Sequence, residues 1–126
     1  MKQFNGVSPI SGEDLSALPV KAIGPAVEFY RSVLGFTVVS QDAVRATVQR
    51  DEARLGLVAK PDHNPGEAGS CAFGMTDLDA MHRELSGRGL DLGGIDTQEW
   101  GGTTYRVFFL REGANGYCYC FSQPVT

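Results

Sequence analysis

The chain contains no run of about 18 apolar residues, so none of its segments is expected to cross a bilayer as a helix. Its first residues lack the apolar stretch of a secretion signal, which predicts a cytoplasmic protein. Basic side chains are few and scattered: 11 Lys and Arg against 15 Asp and Glu leave a net charge of −4. Nucleic acid and anionic membrane surfaces are therefore not expected partners. No Gly-rich phosphate loop, nucleophile motif or pair of catalytic carboxylates is present, and Gly101-Gly102 reads as a turn. The two histidines, His63 in a turn-rich segment and His82 beside Arg83, read as surface residues. Cysteine is limited to three. Cys118 and Cys120 stand two apart on a predicted strand, placing their Cα atoms roughly 6.6 to 6.8 Å apart, at the upper limit for a disulfide. Free thiols in a reducing compartment are expected.

What the chain does have is the same short unit twice. At an offset of about 55 positions, Ala17 falls on Ala72, Val20 on Met75 and Ile23 on Leu78. In the first copy, Gly24-Pro25 opens a helix, since proline suits the first helical turn. Ile23, Ala26, Val27, Tyr30, Val33 and Leu34 form its apolar face, and Gly35 ends it. Strands are predicted at Leu15 to Val20, Phe36 to Gln41, Ala43 to Arg50 and Ala53 to Lys60, the last two joined by a turn at Asp51-Glu52. In the second copy Ser70 to Met75 is a strand, Thr76 and Asp77 can cap a helix with apolar Leu78, Met81 and Leu85, and strands follow at Thr104 to Leu110 and Tyr117 to Ser122. Each copy reads β-α-β-β-β. One α+β domain is predicted over residues 14–124, with a first module at about 14–60, a linker at 61–68 and a second module at about 69–122. Residues 1–13 show no periodicity and read as a polar surface tail.

Strand alternation assigns faces. Leu18 and Val20, Leu55 and Leu57, Cys71, Phe73 and Met75, and Tyr117, Tyr119 and Phe121 form the set beneath the helices. The opposite set is small: Ala17, Gly56, Ser70, Ala72, Gly74, Cys118 and Cys120. Such a face leaves volume for a ligand, for a loop or for another subunit. A curled sheet favours the ligand.

Ala26-Val27-Glu28-Phe29-Tyr30 followed by Leu34-Gly35-Phe36 resembles the "FY…LGF" signature of the vicinal oxygen chelate superfamily, which holds glyoxalase I, bleomycin-resistance proteins and extradiol dioxygenases. Asp77-Leu78-Asp79-Ala80 followed by Gly87-Arg88-Gly89, together with Trp100-Gly101 and Asn115-Gly116-Tyr117, extends the resemblance over about Leu15 to Pro124. The resemblance implies two paired modules whose mixed sheets curl around a cavity, commonly in a homodimer. It also implies four metal-ligand positions, which fall here on Leu15, Gly56, Ser70 and Cys120. None of these is His, Asp or Glu, and a hard divalent ion needs several oxygen or nitrogen ligands. The turn from Arg111 to Gly116 also departs from the family's usual "DPDG", by about two extra residues. What remains is the branch that binds a ligand without transforming it, with no metal and no cofactor.

The candidate ligand-binding residues are Arg45, Thr47, Gln49, Gly56, Ser70, Trp100, Cys118 and Cys120. Arg45, Thr47 and Gln49 share one strand face, and Arg45 could pair a carboxylate or phosphate. The bland alternative is an exposed polar face. Trp100, the sole tryptophan, could stack on a planar ligand or simply cover a sheet edge. Cys120 could be a reactive thiol beside a cation, but a small wall residue is the better reading. The expected partner is a bulky small molecule, aromatic or cationic in part. The rival readings are a superfamily lyase, isomerase or dioxygenase with an atypical site, and a non-catalytic dimeric module.

Overall fold

The computed structural model describes residues 2–10 and 14–125. The duplication is visible in its topology. In the first module β2 (Leu18–Val20), α1 (Ile23–Ser32), β3 (Thr37–Gln41), β4 (Arg45–Arg50) and β5 (Ala53–Ala59) build a four-stranded sheet ordered β2-β5-β4-β3. In the second, β6 (Ser70–Met75), α2 (Leu78–Leu85), β7 (Asp91–Leu92), β8 (Asp96–Trp100), β9 (Thr103–Arg111) and β10 (Cys118–Pro124) repeat the plan, with β7 and β8 together on β9 where β3 lies on β4. In each module the opening strand pairs parallel to the closing strand, Leu18 opposite Leu57 and Cys71 opposite Tyr119. A parallel pair needs a long crossover, which the helix and intervening strands supply.

The helices start for different reasons. Asp77 caps α2, its carboxylate accepting from the Ala80 amide at 3.0 Å. Ala22, at the head of α1, offers no side-chain cap, and Pro25 in the first turn contributes a preset φ instead. After α1 the chain turns back at Gly35, whose φ of +72° is costly for any residue with a Cβ. The Arg50 guanidinium fills the space there, donating to the Leu34 carbonyl at 2.8 Å and holding Glu84 of α2 at 2.9 and 3.1 Å. The i, i+4 pair Glu84–Arg88, an ordinary surface pair by its spacing, is thus not formed. Glu84 holds Arg50, and Arg88 donates to the Val33 carbonyl.

The surface tail expected for residues 1–13 is corrected by the strand β1 (Phe4–Pro9), which pairs antiparallel with β6 and extends the larger sheet to six strands. Met1 and residues 11–13 lie outside the described residues. Phe4 is fully buried, edge-on to Phe36 and Phe73 at 5.3 Å and beneath Arg50 at 4.9 Å. The Asp51 carboxylate, in the β4–β5 turn, accepts from the Gln3 and Phe4 amides, which hold its pKa below the usual range. One side of β1 therefore belongs to the second module and its first turn is tied to the first. The aperiodic pattern hid it: Gly6 sits at a bulge with φ +146°, and a single aromatic anchors the strand.

The helix-facing sides of both sheets merge in one core. Tyr30 of α1 and Tyr119 of β10 share a buried hydroxyl contact of 2.6 Å, and burial raises both phenols above their usual range. The linker is tightly held. His63, expected at the surface, is buried and stacked on Tyr117. Its Nε2 lies 2.9 Å from the Asn115 carbonyl, which only accepts, so Nε2 carries the proton. The atypical turn 112–116 closes on itself: Glu112 accepts from the Ala114 and Asn115 amides, and the Asn115 side chain accepts from the Lys21 amide at 2.9 Å.

Candidate ligand-binding groove

The helix-free face of the larger sheet carries a groove of about 700 Å³. Pairing register shows how it is built. Ser70, Ala72 and Gly74 of β6 stand opposite Cys118, Cys120 and Ser122 of β10, and on the other flank Ala72 and Gly74 meet Ser8 and Gly6 of β1. No side chain in this floor is larger than cysteine. A Cβ at Gly74 would meet the Asn5 Cβ at 3.6 Å, an ordinary contact, so this glycine is not demanded by crowding. The far wall comes from β8 and β9: Phe109 stands beside Cys120, and Gln98 beside Tyr105. Trp100 leans on Tyr105 with ring centroids 5.1 Å apart and planes tilted by 34°. Ile10 and Trp100, 50% and 38% exposed, flank the groove from opposite sides.

The smaller sheet also has a helix-free face, with different contents. Thr47, Gly56, Arg54, Leu15 and Ser16 border a recess of about 270 Å³. Gly56 is small because backbone passes over it. Its amide donates to the Leu15 carbonyl at 2.8 Å, and a Cβ there would collide with the Ser16 carbonyl oxygen. The volume inferred above Gly56 is thus occupied by the chain itself.

The candidates are therefore divided within one chain. Ser70 and Trp100 border the large groove, and Thr47 and Gly56 the small recess. Arg45 is exposed and pairs with Val58, while Gln49 hydrogen-bonds the Asp51 carbonyl and stands opposite Arg54. Cys118 and Cys120 share the helix-free face of the larger sheet by register, but neither borders the groove. Cys120 is fully buried, and that burial pushes its thiol up to about 12. Burial also raises the Cys118 thiol, with Arg111 opposing. Neither is poised as a thiolate. Sequence reasoning missed Asn5 and Ser8, because β1 was not recognised, and missed Gln98, because β8 lies in a Gly-rich polar segment. Tyr105 and Phe109 were readable, being two-residue steps on one strand aligned with Cys120.

Two repeated modules that share one core beneath their helices define a fold of paired β-α-β-β-β units. Residues 14–116 match the model of the Glyoxalase/Bleomycin resistance protein/Dioxygenase superfamily, and the chain belongs to that family. No curated protein matches the sequence significantly. Among solved structures the fold is similar to a bleomycin resistance determinant encoded on the transposon Tn5, with TM-score 0.73, 21% identity, and coverage of 90% of this chain and 98% of that one. It is also similar to the bleomycin-binding protein of bleomycin-producing Streptomyces verticillus (TM-score 0.69, 24% identity, 86% and 92% coverage). A third similar structure is TnmS3, an antibiotic-binding protein from a Streptomyces species (TM-score 0.67, 22% identity, 92% and 99% coverage).

Proposed function

We propose that this protein binds a small organic molecule in the groove of its larger sheet and holds it without chemical change. The observation that carries this reading is the groove itself: about 700 Å³ of concave space over a floor of small side chains, with an aromatic wall. Ile10 and Trp100, both exposed, border this groove at its two edges. The solved bleomycin-binding and antibiotic-binding relatives support the same reading.

Binding is metal-independent in this reading. The four positions that would supply metal ligands hold Leu15, Gly56, Ser70 and Cys120, backbone covers Gly56, and Cys120 is a protonated buried thiol. The protein works as a cytoplasmic homodimer, for which the support is that no described residue covers the groove on the helix-free face of the larger sheet. The test is titration of a panel of aromatic antibiotics, followed by Trp100 fluorescence and by calorimetry, with and without chelator. Saturable binding unaffected by chelator is expected. Turnover of a bound compound, or affinity that disappears with chelator, would replace this reading with an enzymatic one.

A further inference from the structure

The groove has one property that the net charge of −4 does not foretell: among the described residues that line it, no side chain is charged. Its polar groups are all neutral, contributed by Asn5, Ser8, Ser70, Gln98, Tyr105 and Ser122. The remaining lining is backbone glycine, alanine, proline, Val7, Ile10, Phe109 and Trp100. The contrast with the other helix-free face is direct, since Arg45 of β4 and Arg54 of β5 stand there.

We infer that the ligand of the groove is an uncharged, flat aromatic molecule carrying hydroxyl or carbonyl groups, and that charged analogues are rejected. This rests on the groove being the binding site, as proposed above. A charge entering a partly desolvated cleft loses water and must find an opposite charge. No side chain bordering the groove supplies one, and Arg111, which stands on the same sheet face opposite Cys118, already has Asp91 at 3.9 Å. A hydroxyl or carbonyl loses less water and meets amide, hydroxyl and phenol partners of both donor and acceptor kind. Flatness follows from the two sides of the cleft. The floor carries side chains no longer than cysteine and serine, while the Trp100 and Tyr105 rings offer aromatic surface at the wall. Selectivity of this kind works by leaving wrong ligands with an unpaired charge rather than by adding contacts to the right one.

The test uses three compounds of one shape at neutral pH: a neutral dihydroxyanthraquinone, an anthraquinone sulfonate and a trimethylammonium anthraquinone. Each is titrated against the whole protein, with Trp100, the sole tryptophan, as reporter and calorimetry alongside. The neutral compound is expected to bind at least about tenfold tighter than either charged one, with little dependence on salt. In Gln98→Lys the sulfonate should gain at least as much as the neutral compound loses. Equal affinity for a charged member in the native protein would overturn the inference while leaving the groove as the site, and preference for the sulfonate would place a cation over the groove from outside the chain. If heat is released but neither Trp100 fluorescence nor an Ala72→Leu substitution affects it, binding lies elsewhere and the groove reading falls together with the inference.

Discussion

The two helix-free sheet faces arise from the same duplicated unit, yet one is a groove and the other is largely closed. On the larger sheet, small residues at 70, 72 and 74 leave space that no described residue fills, and Gly74 could bear a Cβ without a clash. On the smaller sheet the small residue Gly56 exists so that the backbone of Leu15 and Ser16 can lie against the strand. A small residue on a sheet thus has two distinct meanings, space for another molecule or close approach of the chain itself. Only the neighbouring backbone tells them apart.

That comparison can be broken at several points. The largest effect is expected from Phe4→Ala, which removes the anchor holding β1 beside the groove. Loss of a fully buried phenylalanine costs about 3–5 kcal/mol, readable as a lower urea midpoint, whereas a true tail residue would cost nothing. Gly56→Ala should come next, destabilising by about 1–3 kcal/mol or more through overpacking against Ser16. The matched change Gly74→Ala should leave thermal stability nearly unchanged. Equal costs for the two glycines would erase the distinction drawn between the faces. Ala72→Leu should then leave the fold intact while lowering ligand affinity at least about tenfold, a loss near 1.4 kcal/mol. Trp100→Ala should cost about 0.5–1.5 kcal/mol of binding, the worth of one aromatic contact, with the melting temperature unmoved.

The smallest effect concerns pH. The Cys120 thiol is raised from an ordinary 9.0 to about 12 in the folded chain, chiefly by burial. Below pH 9 it is protonated in both states and its contribution is fully present. As pH rises from 9 toward 12 the unfolded chain ionises first, so stability falls across that window. Cys120→Ala should flatten this slope, and in the native protein at pH 8 iodoacetamide should label Cys120 far more slowly than in the unfolded chain.

Much of this fold was legible because its signals are periodic and local. The helix face from Ile23 to Leu34, the capped helix after Asp77 and the strand Ser70–Met75 follow directly from spacing and end chemistry. The repeat register, Val20 on Met75 and Ile23 on Leu78, survives as the ends of β2 and β6 and the starts of α1 and α2. What escaped depends on partners distant in sequence. β1 has one aromatic, a bulged glycine and hydrogen bonds to residues about 70 positions away. His63 is buried because the turn at 112–116 comes to it. The small floor of the groove and the β9 part of its wall were readable by alternation, but β8 was not, since it is a polar strand that owes its place to pairing with β9.

The bridging strand also bears on the order in which the protein can be made. Phe4–Pro9 leaves the ribosome well before its partners Cys71–Met75, which are made some 65 residues later. The first module can form its own sheet while translation continues, but the groove has no first wall until β6 arrives. Closing so long a loop is slow compared with local helix formation. Until then the newborn strand is an unpaired edge, and its chemistry suits the wait: a glycine, a serine, an asparagine and a terminal proline interrupt its few apolar residues and make it a poor template for aggregation.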